Sequence, residues 1–448
     1  MTQLTSSKHP FLAGFTALER ELAGRGPSWL REMRRKGTSR FEQLGFPTNK
    51  LEEWRATSVA PIARGVFQPA PRDSESTDLD DLPEAARLDL GGPRLVFLDG
   101  RFAADLSSVG ELPEGLWVGN LAEALERIPE RVEPHLCRPA ANEATAFEAL
   151  NDALAEDGAV VLVADGLELD RPIQLLFVSH SADQPTASAP RTLIVAGRGS
   201  RASIVETYAG RGEGHYLTNA VTDVQLGDNA TLEHCRIQLE GPGGYHISHN
   251  RFRQGRDSRY SHHNINLGGK LVRNDVGAAL NGEGGWCRLN GFYLTGGEQH
   301  VDNHTRLDHA KPHCDSHELY KGILAGKSRT VFNGRIIVHP DAQKTDAKQS
   351  NKNVLLSSEA LAHTRPQLEI YADDVRCTHG ATIGRLDHEA IFYLQSRGLS
   401  ADAAQELLLA AFAGEVLEQI EPESLRTSLE QVVSLRLQEL TDGTEATS

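Results

Sequence analysis

Alternation, not helical periodicity, governs the middle of the chain. From about Val160 to Gly384, short runs rich in β-branched and aromatic residues alternate with Gly, Asn and Asp turns. Thr330-Val331-Phe332-Asn333-Gly334-Arg335-Ile336-Ile337-Val338 and Gln367-Leu368-Glu369-Ile370 typify these runs, and no segment of helical length interrupts them. The flanks are different. Phe11, Phe15, Leu18 and Leu22 recur at helical spacing, and Pro27-Ser28-Trp29-Leu30 opens a second helix that Gly37 should end. The Pro- and Asp-rich stretch from Pro69 to Pro83 reads as a mobile connection. Arg94 to Leu98 reads as a strand closed by Asp99-Gly100, and Asn142 to Leu154 as a helix. Beyond Gly384, Ile391 and Leu394 mark a helix stopped near Gly398. A second helix starts at Ser400 with Leu407, Leu408, Ala411, Phe412, Val416 and Ile420. Pro422 opens a third, with Leu425, Leu429, Val432, Val433, Leu437 and Leu440. Thr441 to Ser448 reads as a frayed tail.

The β-rich region carries a faint repeat. Gly199-Ser200-Arg201-Ala202-Ser203-Ile204 is echoed by Gly227-Asp228-Asn229-Ala230-Thr231-Leu232, by Gly255-Arg256-Asp257-Ser258-Arg259-Tyr260 and by Gly282-Glu283-Gly284-Gly285-Trp286-Cys287. The small residues Ala202, Ala230, Ser258 and Gly285 fall about 28 residues apart, a solenoid period. A small residue at one turn position lets coils stack closely, so each buries its apolar face against the next. The pattern predicts a parallel β-helix over 160–385, flanked by a mixed helical region over 1–159, a helical domain over 386–441 and a tail over 442–448.

Composition narrows the partners. A net charge of -16 over 448 residues argues against nucleic acid or an anionic membrane as the main partner. No apolar run approaches the roughly 20 residues that span a bilayer, and Met1-Thr2-Gln3-Leu4-Thr5-Ser6 lacks the features of a signal peptide. Five scattered cysteines (Cys137, Cys235, Cys287, Cys314, Cys377) without a Cys-x-x-Cys point to reduced thiols and a cytoplasmic location.

Three groups of residues invite a chemical reading. Gly326-Lys327-Ser328 imitates a phosphate loop, but Gly322 stands only three residues before the Gly-Lys pair, and strand-like Arg329-Thr330-Val331-Phe332 follows where a helix is required. Nucleotide binding by this chain is not expected. His300, His304, His309, His313 and His317 cluster in sequence, yet strand geometry does not bring their rings together, and a structural role is expected. Cys377 and His379 are sharper. Two apart on a strand, they face the same way with Cα atoms about 6.5–7 Å apart, and thiolate with imidazole suits zinc, iron or an iron–sulfur fragment. Two donors do not complete a site, so a metal here needs donors from elsewhere, such as a partner chain. The plain alternative is that Cys377 packs as a small core residue beside Val375.

His313-Cys314-Asp315-Ser316-His317-Glu318-Leu319-Tyr320-Lys321-Gly322-Ile323-Leu324 and Val331-Phe332-Asn333-Gly334-Arg335-Ile336 resemble the core of the SufB/SufD family. So do Arg376-Cys377-Thr378-His379-Gly380-Ala381-Thr382-Ile383-Gly384 and Phe392-Tyr393-Leu394-Gln395-Ser396-Arg397-Gly398. Gly45-Phe46-Pro47-Thr48-Asn49-Lys50-Leu51-Glu52-Glu53-Trp54-Arg55 resembles the entry motif of the SufD branch. The SufB branch carries a thiol before its last core motif, where this chain reads Asn353-Val354-Leu355-Leu356-Ser357-Ser358, and a Glu-His-Glu where it reads Thr378-His379-Gly380. The resemblance is therefore closer to SufD. It implies a right-handed parallel β-helix, a heterodimer with a SufB-like subunit and docking of a SufC-like ABC ATPase on the C-terminal helices. ATP hydrolysis then belongs to the partner, and this chain is a non-catalytic scaffold. Cys377 and His379 fall, by resemblance, at the SufB interface, where transient iron or a nascent iron–sulfur cluster is held; a flavin is left open. Two rival classes are a polysaccharide-active β-helix enzyme, which lacks the paired carboxylates and export signal it needs here, and a purely structural adaptor without metal contact.

Overall fold

Every coil of the central region contributes one strand to each of two parallel sheets. The computed structural model describes residues 10–71, 79–136, 145–181 and 184–445. Strands alternate between the sheets, so that sequence neighbours lie on opposite walls and the next-but-one strand is the hydrogen-bonded partner. Arg201, Thr231, Arg259, Trp286, Asp315, Asp346 and Arg376 occupy one register position and recur every 27 to 31 residues. This is a parallel β-solenoid, as the repeat predicts.

The small-residue stack is real but one member was placed out of step. Backbone bonds from Thr231, Arg259, Trp286 and Asp315 reach the carbonyls of Ser200, Ala230, Ser258 and Gly285, and those from Asp346 and Arg376 reach Cys314 and Thr345. Ser200, not Ala202, is the first member; Ala202 pairs with Leu232 two positions further on. All six stacked residues are buried between coils.

Period-2 alternation sends every second side chain into the space between the two sheets. Near the start of the solenoid that space is aromatic and aliphatic. Phe97, Phe177 and Tyr208 stack at 4.7 and 4.9 Å between ring centroids, amid Leu95, Val161, Ile173 and Ile194. The two outer faces are each covered by one flank. Phe11, Phe15, Phe41, Trp54 and Phe147 pack on Leu217, Tyr245, Ile247 and Leu271 of the first sheet. Leu409, Val416, Leu425, Leu429, Val433 and Leu437 pack on Val205, Ile237, Ile265, Phe292 and Ile323 of the second.

Most flanking elements follow the sequence pattern. The first helical segment splits into Pro10–Ala13 and Thr16–Ala23, and the strand Arg94–Leu98 ends at Asp99-Gly100. A capping box of Thr145 and Glu148 opens the helix Ala146–Leu154. Gly37 does not end its helix, which runs Ser28–Leu44 and stops before Gly45. Its role is contact: a Cβ there would sit 2.8 Å or less from Ala153 N and Ala149 O of the crossing helix. The C-terminal helices are His388–Ser396, Ala401–Leu417, capped by Ser400, and Glu423–Glu445. The last therefore continues past Thr441, where a frayed tail was expected. Much of the proposed connection from Pro69 to Pro83, the start of the segment from Asn142, and Cys137 lie outside the described residues. No described helix is long and apolar enough to cross a membrane.

The two ends of the solenoid differ. At its start, Leu116–Asn120 runs antiparallel to Ala159–Val163, and Arg101–Phe102 antiparallel to Arg94–Leu98. Phe102, Val109, Leu112 and Leu116 close over the interior. At its finish, Leu361–Ile370 and Arg376–Gly384 are the terminal strands of their sheets, each paired on one side alone among the described strands.

Candidate functional site at the open end of the solenoid

Cys377 and His379 lie on the terminal strand Arg376–Gly384, opposite Ala347 and Gln349 of its one partner strand among the described strands, Asp346–Leu355. Ala347 and Gln349 are buried and face inward, so register directs Cys377 and His379 toward the same interior, now at its uncovered end. Cys377 is half-buried and packs against the core, while His379 is exposed. Burial pushes the Cys377 thiol above its ordinary range, outweighing the backbone hydrogen bond at Ala347 that lowers it. In the chain alone this sulfur is a protonated thiol, and a bound cation would favour the thiolate. Both readings of Cys377 therefore survive in one geometry: it packs, and its strand is free on its outer side. Among the described residues no group of three or more His, Cys, Asp or Glu is placed to hold a metal. The pair is an incomplete donor set.

The sequence cluster of histidines does not assemble. His300 and His304 lie on the outer face of the first sheet, bonded to Thr57 and Asp302. His309 turns inward onto Ser316, His313 occupies a turn with φ 59°, and His317 faces outward from the other sheet. Gly326-Lys327-Ser328 forms a turn between the strands Asp315–Leu324 and Arg329–Val338, and no helix follows it.

Sequence reasoning missed the polarity of the interior. From the strand Arg201–Arg211 onward, inward positions mix His, Asn, Glu, Gln and Tyr with apolar residues. His234 bridges Glu206 and the Tyr260 hydroxyl at 3.0 Å each. Arg236 donates to Asn274 at 2.8 Å, and Asn274 to Asn303 at 3.0 Å. Gln349 donates to Glu318 at 2.6 Å. Burial raises the Glu318 carboxyl to about 7, against the lowering effect of hydrogen bonds from Thr305 and Gln349. Carrying the repeat beyond Gly285 would have placed Glu318, Gln349 and His379 in one column, since they share a register position in successive coils.

The entry motif is anchored on the outer face of the first sheet. The Arg273 guanidinium lies 3.9 Å from the Trp54 ring centroid and donates to the Glu53 carbonyl at 2.6 Å and to Asp302 at 2.9 Å. Burial alone would raise Asp302; His304 and Arg273 outweigh it and hold the carboxyl well below the usual range. Glu52 reaches Arg365 on the terminal strand at 2.6 Å. A cleft of about 610 Å³ lies beside this strap. Of the five arginines that line it, Arg251, Arg306, Arg335 and Arg365 are paired with Asp223, Asp308, Glu369 and Glu52.

Comparison with known proteins decides the family. The profile described as SUF system FeS cluster assembly, SufBD core domain, matches residues 177–412, and the SufBD protein N-terminal region matches residues 5–175. The chain belongs to the SufBD family. An iron–sulfur cluster assembly SufBD family protein of Synechocystis is 33% identical over 427 residues, 93% of each chain. The iron–sulfur cluster assembly protein SufD of Escherichia coli is 32% identical over 397 residues, 88% of this chain and 90% of the relative. The SufD of Bacillus subtilis is 24% identical over 92% of this chain and 94% of its own. This SufBD protein is thus SufD-like and a member of the SUF iron–sulfur cluster assembly system.

Proposed function

We propose that this SufBD chain is the SufD-type scaffold subunit of an iron–sulfur cluster assembly complex in the cytoplasm. In this reading the open end of its solenoid pairs with a SufB-like subunit. Cys377 and His379 then supply part of a donor set for iron or a nascent cluster, which is the cargo of the complex. The single observation that carries the reading is a terminal strand with one free edge among the described strands, which holds both donors on its inward side.

Edge strands present free N–H and C=O groups that invite pairing. Of the two terminal strands, Leu361–Ile370 contains Pro366, which has no N–H to donate, whereas Arg376–Gly384 contains no proline. The strand bearing Cys377 and His379 is thus the better template for pairing across chains. Ile383 and Ile370, at 45% and 41% exposure, and half-buried Leu368 leave apolar surface at the same end. Covering it would contribute roughly 25 cal/mol per Å² removed from water.

The C-terminal helices supply the second surface. Phe392, 72% exposed, Tyr393 and Leu407 project from them, in a chain whose own phosphate-loop imitation is a β-turn. We assign this face to an ABC ATPase partner of the SufC kind, so that nucleotide hydrolysis lies outside this chain and drives opening of the heterodimer to iron and sulfide. The chain itself is then a non-catalytic scaffold.

The test is Cys377→Ser and His379→Ala, each placed singly in the complex assembled anaerobically, with iron and acid-labile sulfide measured per complex. Loss of both in either variant, with subunit stoichiometry intact, is expected. Unchanged iron and sulfide in both variants would remove the ligand role and leave a structural adaptor.

A further inference from the structure

The column that ends at His379 contains a buried amide with one unused atom. Gln349 is 3% exposed and lies directly opposite His379, on the same inward side, in the adjacent strand. Adjacent strands lie about 4.8 Å apart, so the two side chains are immediate neighbours. The Gln349 Nε2 group donates to Glu318 Oε2 at 2.6 Å, while Gln349 Oε1 is buried without a hydrogen-bond partner. In this arrangement the amide NH2 faces Glu318 and the carbonyl oxygen is turned away from it. A buried acceptor left unmade costs roughly 1–3 kcal/mol, and such an atom needs an explanation.

The surroundings are shaped for this side chain. Gly334, on the opposite wall, faces it; a Cβ there would lie 2.3 Å from Gln349 Nε2 and 2.7 Å from its amide carbon. The glycine therefore makes the space the amide occupies. Glu318 is itself buried and is held in the same column, one coil further in.

We infer that Gln349, anchored by Glu318, is a positioning residue that orients the His379 imidazole toward a metal ion. A metal-binding histidine coordinates through one ring nitrogen and donates the N–H of the other to a nearby acceptor, which fixes both tautomer and ring angle. Gln349 Oε1 is an unpartnered buried acceptor on the strand beside His379, and in this inference the imidazole N–H becomes its donor. The inward nitrogen then keeps its proton and the outward nitrogen offers its lone pair to the cargo at the partner surface. This inference rests on the ligand role proposed above for His379.

The experiment measures Co²⁺ binding to the anaerobically assembled complex through the visible d–d absorption of the bound ion. Gln349→Leu should weaken Co²⁺ binding about 10–100-fold, the usual cost of losing an outer-shell partner. Gln349→Glu, which keeps an acceptor oxygen at the same reach, should restore much of it. If Gln349→Leu does not assemble, Gly334→Ala carries the test, because its methyl displaces the amide and should also weaken binding. Binding by Gln349→Leu or Gly334→Ala equal to the unaltered complex, with His379→Ala still defective, overturns the positioning role alone. Undiminished binding by His379→Ala overturns the ligand role and this inference together.

Discussion

The beginning and the end of the solenoid are built from the same coil, yet only the beginning is finished. At the start, antiparallel strands break the parallel order and Phe102, Val109 and Leu112 cover an interior of stacked aromatic rings. At the finish, the parallel order continues to the last strand, and inward positions that bury apolar or amide side chains elsewhere hold a half-exposed thiol and an exposed imidazole. A solenoid needs a cap or a neighbour at each end. The chain supplies the first, and in the proposed reading a SufB-like subunit supplies the second. Phe97 and Phe177 stack at the closed end, while buried Glu318, Gln349 and Asn351 lie near the open one, among apolar Phe332, Ile336 and Val338.

The largest effect is expected in the body of the solenoid, where Arg273 joins the entry strap to two buried or partly buried carboxylates, Asp302 and Asp275. Arg273→Ala removes the guanidinium partner of both carboxylates and the cation stacked on Trp54. Breaking a buried pair in this way costs about 3–5 kcal/mol, to be read as a lower midpoint in urea unfolding. A loss below about 1 kcal/mol would mean that the strap is a surface ornament.

The polar interior makes a pH prediction. Glu318 titrates at about 7 in the fold against an ordinary value of 4.5. An unfolded chain loses this proton first, so the fold is relatively favoured below pH 4.5 and that advantage drains away as pH rises to about 7. The linked loss is roughly 3 kcal/mol. Glu318→Gln should remove this part of the pH dependence, so that the variant gains on the unaltered chain between pH 4.5 and 8 in unfolding experiments. Parallel curves for the two proteins would contradict the burial of an ionisable carboxyl.

At the open end the prediction reverses: little change in the chain, much in the complex. Ile383→Asp places a charge on a surface that is 45% exposed in the free chain. Its unfolding midpoint should shift by no more than about 0.5 kcal/mol, while affinity for the SufB-like partner falls about 100-fold, or 2.7 kcal/mol, in a titration of purified subunits. The smallest effect lies at the covered flank. Thr145→Ala removes the cap of the helix Ala146–Leu154 and a 2.8 Å bond to His249, and should cost about 1 kcal/mol.

Much of this contrast can be read in the amino acids. The 27-to-31-residue recurrence betrays the coil because stacking demands small residues at one turn position, and Ala230, Ser258 and Gly285 obey that demand. Ala202 misled because it lies two residues from Ser200 and is also small and buried. Gly37 misled because a glycine that ends a helix and one that lets two helices touch look alike in one dimension. The shared face of Cys377 and His379 follows from period-2 geometry. Their exposure does not, since nothing in Arg376–Gly384 announces that no described strand pairs with its outer edge. Gln349 was invisible for a different reason: an isolated glutamine in a polar stretch acquires meaning only once Glu318 and His379 are stacked on either side of it.

Hydrogen–deuterium exchange at the two terminal strands, with and without the SufB-like partner, tests the unfinished end most directly. Amides of Arg376–Gly384 should exchange faster in the chain alone than those of the interior strand Asp346–Leu355, and become strongly protected in the complex. A complex that forms at full affinity while these amides exchange as they do in the free chain would contradict the assignment of this end to the partner.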